Sequence, residues 1–157
     1  MTVSPQIQDA LTELGLELHA GLGVRGAYAP TRQVGTMLWV SGVTGRSPAG
    51  PGVVGVVGEG VTVEQAREGA RQAAVNLLAA IESTVGLHRV TALGHLRGYV
   101  RAVADFDRHP AVIDAASEVL VRALGPEIGA HARTALGVAS LPGGAAVELD
   151  LVAHVTA

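Results

Sequence analysis

The stretch TVEQAREGARQAAVNLLAAIESTVG, residues 62–86, decides the fold class of this chain. Thr62-x-x-Gln65 fits a capping box, in which hydroxyl and amide satisfy each other's exposed backbone N–H groups at a helix start. Val63, Ala66, Ala70, Ala73, Leu77, Ile81 and Val85 recur at steps of three and four, so they share one face of a helix. Gly86 follows as a C-terminal stop. The pattern predicts a helix over 62–85 with one side in a core.

Working outward, the period changes from helical to extended. Met37-Leu38-Trp39-Val40, bounded by Gly35 and Gly42, reads as a strand. Turn signals fill 45–52, and Val53–Val57 is a candidate returning strand. Residues 21–30 are Gly-rich and read as a loop leading into an extended segment. At the start, Ser4-Pro5 followed by Ile7, Leu11 and Leu14 predicts a short capped helix over 4–15, closed by Gly15. On the other side, alternation from Val90 to Ala102 predicts a strand. His109-Pro110 opens a second helix to about Leu124, stopped by Gly125-Pro126. Thr134–Ala139 and Ala146–Val155 are two final strands joined by the turn Leu141-Pro142-Gly143-Gly144. Strands, helix, strand, helix and two strands make an α+β fold, a mixed sheet with helices on one face, in one domain over 1–157.

Composition supports a packed core and excludes several chemistries. With 48% hydrophobic and 16% charged residues in 157, the chain is not disordered. Its aromatics are 3%, so the core is aliphatic. There is no Cys, hence no disulfide and no thiolate nucleophile. All 11 basic residues are Arg, which removes lysine Schiff-base chemistry. A net charge of −3 offers no field for a polyphosphate chain, so nucleic acid is not an expected partner. Residues 1–15 lack the pattern of a secretory leader, and no run of about 18 apolar residues is free of charge. A cytoplasmic protein without membrane contact is expected. So much Val, Ala and Leu on a small sheet also predicts a second sheet face that a partner subunit must bury.

Familiar motifs fail on context. Gly21-x-Gly23-x-x-Gly26 matches a dinucleotide fingerprint, but Ala27-Tyr28-Ala29-Pro30 cannot open the helix that the fingerprint needs. Ser41 lacks the first glycine of a nucleophile elbow. The six histidines, at 19, 88, 95, 109, 131 and 154, include no compact ligand spacing, so no metal is expected.

One region stands apart: GAHARTALGVASLPGGAAVELD, residues 129–150. Arg133 begins one predicted strand and Glu148 lies in the next, across the turn. If these strands flank a cleft, a guanidinium suited to a carboxylate meets an acid able to deprotonate water. The pairing is equally an ion pair pinning a hairpin or a subunit contact.

The same segment resembles the signature of the RidA/YjgF (L-PSP) family in Ala132-Arg133-Thr134, Val138-x-x-Leu141-Pro142 and Val147-Glu148-Leu149-Asp150. Tyr28 ahead of Val40-Ser41-Gly42, and Asp105-Phe106 followed by Val112-Ile113-Asp114, are similar to further family motifs, so the likeness spans about 27–155. Phe106-x-x-His109-Pro110 and Gly129-x-His131-Ala132-Arg133 resemble a branch with a longer N-terminus. The resemblance implies a chorismate-mutase-like α+β fold, a homotrimer with clefts between subunits, and hydrolysis of enamines and imines to 2-keto acids without metal or cofactor. It implies that Arg133 holds the carboxylate of a small substrate and Glu148 positions water, with Tyr28, Ser41 and Gly42 lining the pocket. Ala135 stands where the family often has Cys, Val43 where Gln is frequent, Asp114 where Asn is usual, and His131 where Pro is usual. If it lies in the pocket, an acid at 114 would compete for Arg133 and repel a carboxylate substrate, since like charges about 4 Å apart cost on the order of 4 kcal/mol at a dielectric near 20. His131 reads as a satisfied surface residue that could add a titrating group. Two other readings stay open: a regulatory trimer that binds carboxylates without turnover, and the ribonuclease label that some family members carry.

Overall fold

The computed structural model describes residues 3–157. Helix α1 (Pro5–Glu13) starts at Ser4, whose hydroxyl accepts the Ile7 N–H, and buries Ile7 and Leu11. Strand β1 (Thr31–Val34) turns back at Gly35, where φ is +58°, into β2 (Met37–Thr44). The second strand thus runs four residues past the apolar run that announces it, because Val43 and Thr44 resume pairing with the last strand beyond a bulge at Ser41 and Gly42. Of the expected strand at 53–57 only Val56–Val57 (β3) forms, paired with Gly60–Val61 (β4).

Helix α2 (Val63–Thr84) has both halves of the Thr62–Gln65 capping box. It buries more than the predicted stripe, because it packs both on the sheet and against α3 (His109–Leu124), its neighbour on the same face. Strand β5 (Val90–Arg101) precedes α3, and a single turn, α4 (Pro126–Gly129), leads into β6 (Ala132–Val138) and then β7 (Val147–Val155).

The sheet order is β1-β2-β7-β5-β6. Strand β6 returns parallel to β5 after the α3 crossover, while β7 pairs antiparallel with β2 and β5. The last two strands are therefore not a hairpin, as their short connection suggests. The chain passes over the end of β5, and β5 stands between them, using both of its edges.

Alternation sorts the sheet into two faces. Leu96, Gly98 and Val100 of β5 and Leu149, Leu151 and Ala153 of β7 point to the helices and are buried. The opposite face carries Arg97, Tyr99, Glu148, Asp150 and the exposed Trp39. On it, Arg97 Nε and Tyr99 OH donate to the two Asp150 carboxylate oxygens at 2.7 and 2.9 Å. No helix is long and apolar enough to cross a membrane among the described residues.

Gly98 sets how closely α3 packs on the sheet. A Cβ there would lie 2.6 Å from the Cδ1 and Cγ1 of Ile113. Gly98→Ala is predicted to overpack this contact by about 1–3 kcal/mol and lower Tm by about 2–12 °C in calorimetry.

Candidate active site

A cavity of about 560 Å³ opens beside the β2–β7 pair, and Tyr28, Ser41, Gly42, Val43 and Glu148 all line it. Each is placed by a local cause. The Ser41 hydroxyl donates to the Ala29 carbonyl at 2.7 Å and its N–H to the Pro30 carbonyl at 2.9 Å, which ties the loop bearing Tyr28 to β2. Gly42 sits in the β2 bulge, where a Cβ would lie 2.6 Å from Glu148 Oε1. A larger residue there would push the carboxylate from this position. Burial, and next the charge of Asp150, push the Glu148 carboxyl above its ordinary value. A carboxyl raised in this way exchanges protons more readily near neutrality, as general acid–base work requires.

Arg133 is elsewhere. Its β5 partner is Leu96, on the helix side, whereas Glu148 pairs with Tyr99 on the open side. Within one chain the two residues lie on opposite faces with β5 between them, so the single shared pocket drawn from the hairpin does not form. At the β6 edge Arg133 Nη1 donates to Asp114 Oδ1 at 2.7 Å and to Ser117 Oγ at 3.2 Å. The expected competition between Asp114 and a carboxylate for Arg133 is thus present as an ion pair. His131 Nδ1 donates to the Gly129 carbonyl at 2.7 Å, which leaves Nε2 to accept from the Ser117 hydroxyl at 2.9 Å. Both ring nitrogens are satisfied, and the imidazole orients Ser117 under Arg133. Ala135 shares the helix-side face with Arg133 and packs against the core.

Three lining residues had not been singled out in the sequence. Asn76, 6% exposed, uses its full capacity of four hydrogen bonds. Its Nδ2 donates to the Thr44 and Arg46 carbonyls at 2.7 and 2.8 Å, and its Oδ1 accepts from Gln72 Nε2 and His19 Nε2. His19 Nδ1 in turn accepts the Gly21 N–H at 3.0 Å. Arg46 Nη2 donates to the carbonyls of Leu22 and Gly23. A polar residue inside the apolar run AAVNLLAAI, 73–81, was the available signal for Asn76. Arg46, in a Gly- and Pro-rich stretch, gave none. No group of three or more His, Cys, Asp or Glu is arranged to hold a metal among the described residues.

Comparison with known proteins agrees with this fold. Residues 19–155 match the model of the family described as Endoribonuclease L-PSP. Protein TCP17 of Trypanosoma cruzi is 32% identical over 151 residues, covering 96% of this chain and 94% of that protein. A crystal structure of an Agrobacterium tumefaciens protein of unknown function is 35% identical with a TM-score of 0.89, covering 95% of this chain and 92% of the other. A putative endoribonuclease from Shewanella oneidensis is 26% identical with a TM-score of 0.88, over 96% and 99%.

Asn76→Leu keeps the volume but leaves the carbonyls of residues 44 and 46 without donors. It is predicted to cost about 1–3 kcal/mol in urea unfolding, the penalty for a buried polar group left unpaired.

Proposed function

The chain belongs to the endoribonuclease L-PSP family, and from that premise we propose that it hydrolyses reactive enamines and imines of 2-amino acids to 2-keto acids and ammonia. The clefts are shared by neighbouring subunits of a homotrimer. The observation that carries the reading is Glu148: a half-buried carboxyl of raised pKa, in a cavity beside Tyr28, with Gly42 cleared to admit it. Because Glu148 and Arg133 lie on opposite faces of one sheet, a second copy must bring its own β6 edge to the cavity. Exposed Trp39 and Leu136 on the open face provide apolar surface for such an association.

In this mechanism the substrate enters as the protonated imine, and the ionised Glu148 takes a proton from water as the oxygen bonds to the imine carbon and the C=N π electrons move to nitrogen. The protonated Glu148 then passes that proton to the amino nitrogen of the carbinolamine. The C–N bond breaks as the carbonyl forms, and the hydroxyl proton leaves with ammonia as ammonium. Arg133 of the neighbouring copy holds the substrate carboxylate with parallel hydrogen bonds, displacing Asp114.

That displacement favours one second reading, a trimer that captures carboxylates without turnover, because the Arg133 charge is already partly met. The net charge of −3 supports neither RNA binding nor the ribonuclease activity in the family's name.

Activity is read as 2-keto acid release from freshly generated imines. Glu148 must be ionised to accept the water proton, so kcat/KM is predicted to fall as pH drops through its raised pKa, with a limb above the ordinary 4.5. Glu148→Gln is predicted to lower kcat by about 10²–10⁴ and to abolish that limb. A wild-type rate no faster than the uncatalysed one across several imines would leave the binding reading in place.

A further inference from the structure

The cavity extends well past Glu148. Beyond Tyr28 it runs under the segment from His19 to Arg25 and along α2 to Ser83. Its volume of about 560 Å³ exceeds what a three-carbon imino acid fills. The far lobe is organised around Arg46, and the structure invests buried polar groups in presenting it. Asn76 holds the backbone at 44 and 46 through both of its N–H groups, and through His19 it anchors the segment whose carbonyls at 22 and 23 accept from Arg46 Nη2.

The guanidinium is therefore fixed from its own backbone and from the opposing loop. Yet no carboxylate of the described residues lies within ion-pair distance of it, while five other arginines are so paired. Its Nε and Nη1 make no hydrogen bond to any described residue, although Arg101 Nε is the only buried side-chain nitrogen or oxygen among them without a partner. Arg25 lines the same cavity, so the lobe carries two guanidinium groups against the single carboxylate of Glu148.

We infer that this lobe is a subsite for a second acidic group, and that the cavity takes dicarboxylic 2-imino or 2-keto acids with the distal carboxylate on Arg46. Placement agrees. Thr44 is the cross-strand partner of Glu148, Arg46 follows just past the end of β2, and Arg46 and Glu148 line the same cavity. The inference rests on the cavity at Glu148 being the substrate site.

The test is equilibrium binding by calorimetry, with 2-oxoglutarate compared with 2-oxohexanoate, which has a neutral chain of similar length. Wild-type protein is predicted to bind the dicarboxylate at least about tenfold more tightly, the scale of one charge-assisted hydrogen bond. Arg46→Gln is predicted to weaken 2-oxoglutarate at least about tenfold more than 2-oxohexanoate, while Arg46→Lys keeps part of the preference. Equal affinity for the two acids in wild type, or an equal loss of both in Arg46→Gln, would overturn the inference and reduce Arg46 to a strap on the 22–23 loop. Turnover is measured separately on imines from glutamate and from norleucine. A dicarboxylate preference in binding without turnover of either imine upholds the subsite and removes the deaminase reading. Turnover of both imines with no preference removes the subsite alone.

Discussion

The two-residue alternation of a β-strand, applied to a sheet whose order is β1-β2-β7-β5-β6, constrains everything else at this site. Glu148 must share a face with Tyr99 and Asp150, and Arg133 must share the other face with Leu96. No side-chain motion brings the two together across β5. Each chain therefore carries a cavity with an acid at one place and a guanidinium with its own hydrogen-bonded support at another. Under the proposed function, a second copy supplies the Arg133 that completes the constellation around Glu148.

The two half-sites are built differently. At the cavity, backbone geometry does the positioning: a bulge in β2, a glycine that makes room for Glu148, and a serine that ties down the loop carrying Tyr28. At the β6 edge, side chains do it, in the chain Gly129 carbonyl, His131, Ser117, Arg133 and Asp114. The first arrangement is rigid and sterically defined. The second is exchangeable, since an incoming carboxylate can replace the exposed Asp114 on a planar guanidinium with donors to spare.

Much of this was legible in the sequence. The capping box and apolar steps of α2 are local signals, and the helix forms where they place it. The β2 cluster with Tyr28 was read only through the family resemblance, because Ser41 binds a carbonyl 12 residues back and Gly42 faces Glu148 far along the chain. The topology was not legible. A short connection containing Leu-Pro-Gly-Gly looks the same whether it joins paired strands or passes over a strand between them, and strand order is set by long-range pairing that no local pattern encodes. Asn76 and Arg46 escaped for the same reason: the carbonyls that Asn76 donates to are 32 and 30 residues away, and those that Arg46 donates to are 24 and 23 away. Lone polar residues carry no period.

The most direct test of a site completed between copies is subunit complementation. Arg133→Ala and Glu148→Gln, each inactive alone, are co-expressed with different tags, and the mixed oligomer is isolated and assayed for imine hydrolysis. If each cleft takes Glu148 from one copy and Arg133 from its neighbour, every mixed trimer keeps one cleft in three intact, and activity recovers to about a third of wild type. Mixed oligomers as inactive as either parent would contradict the account.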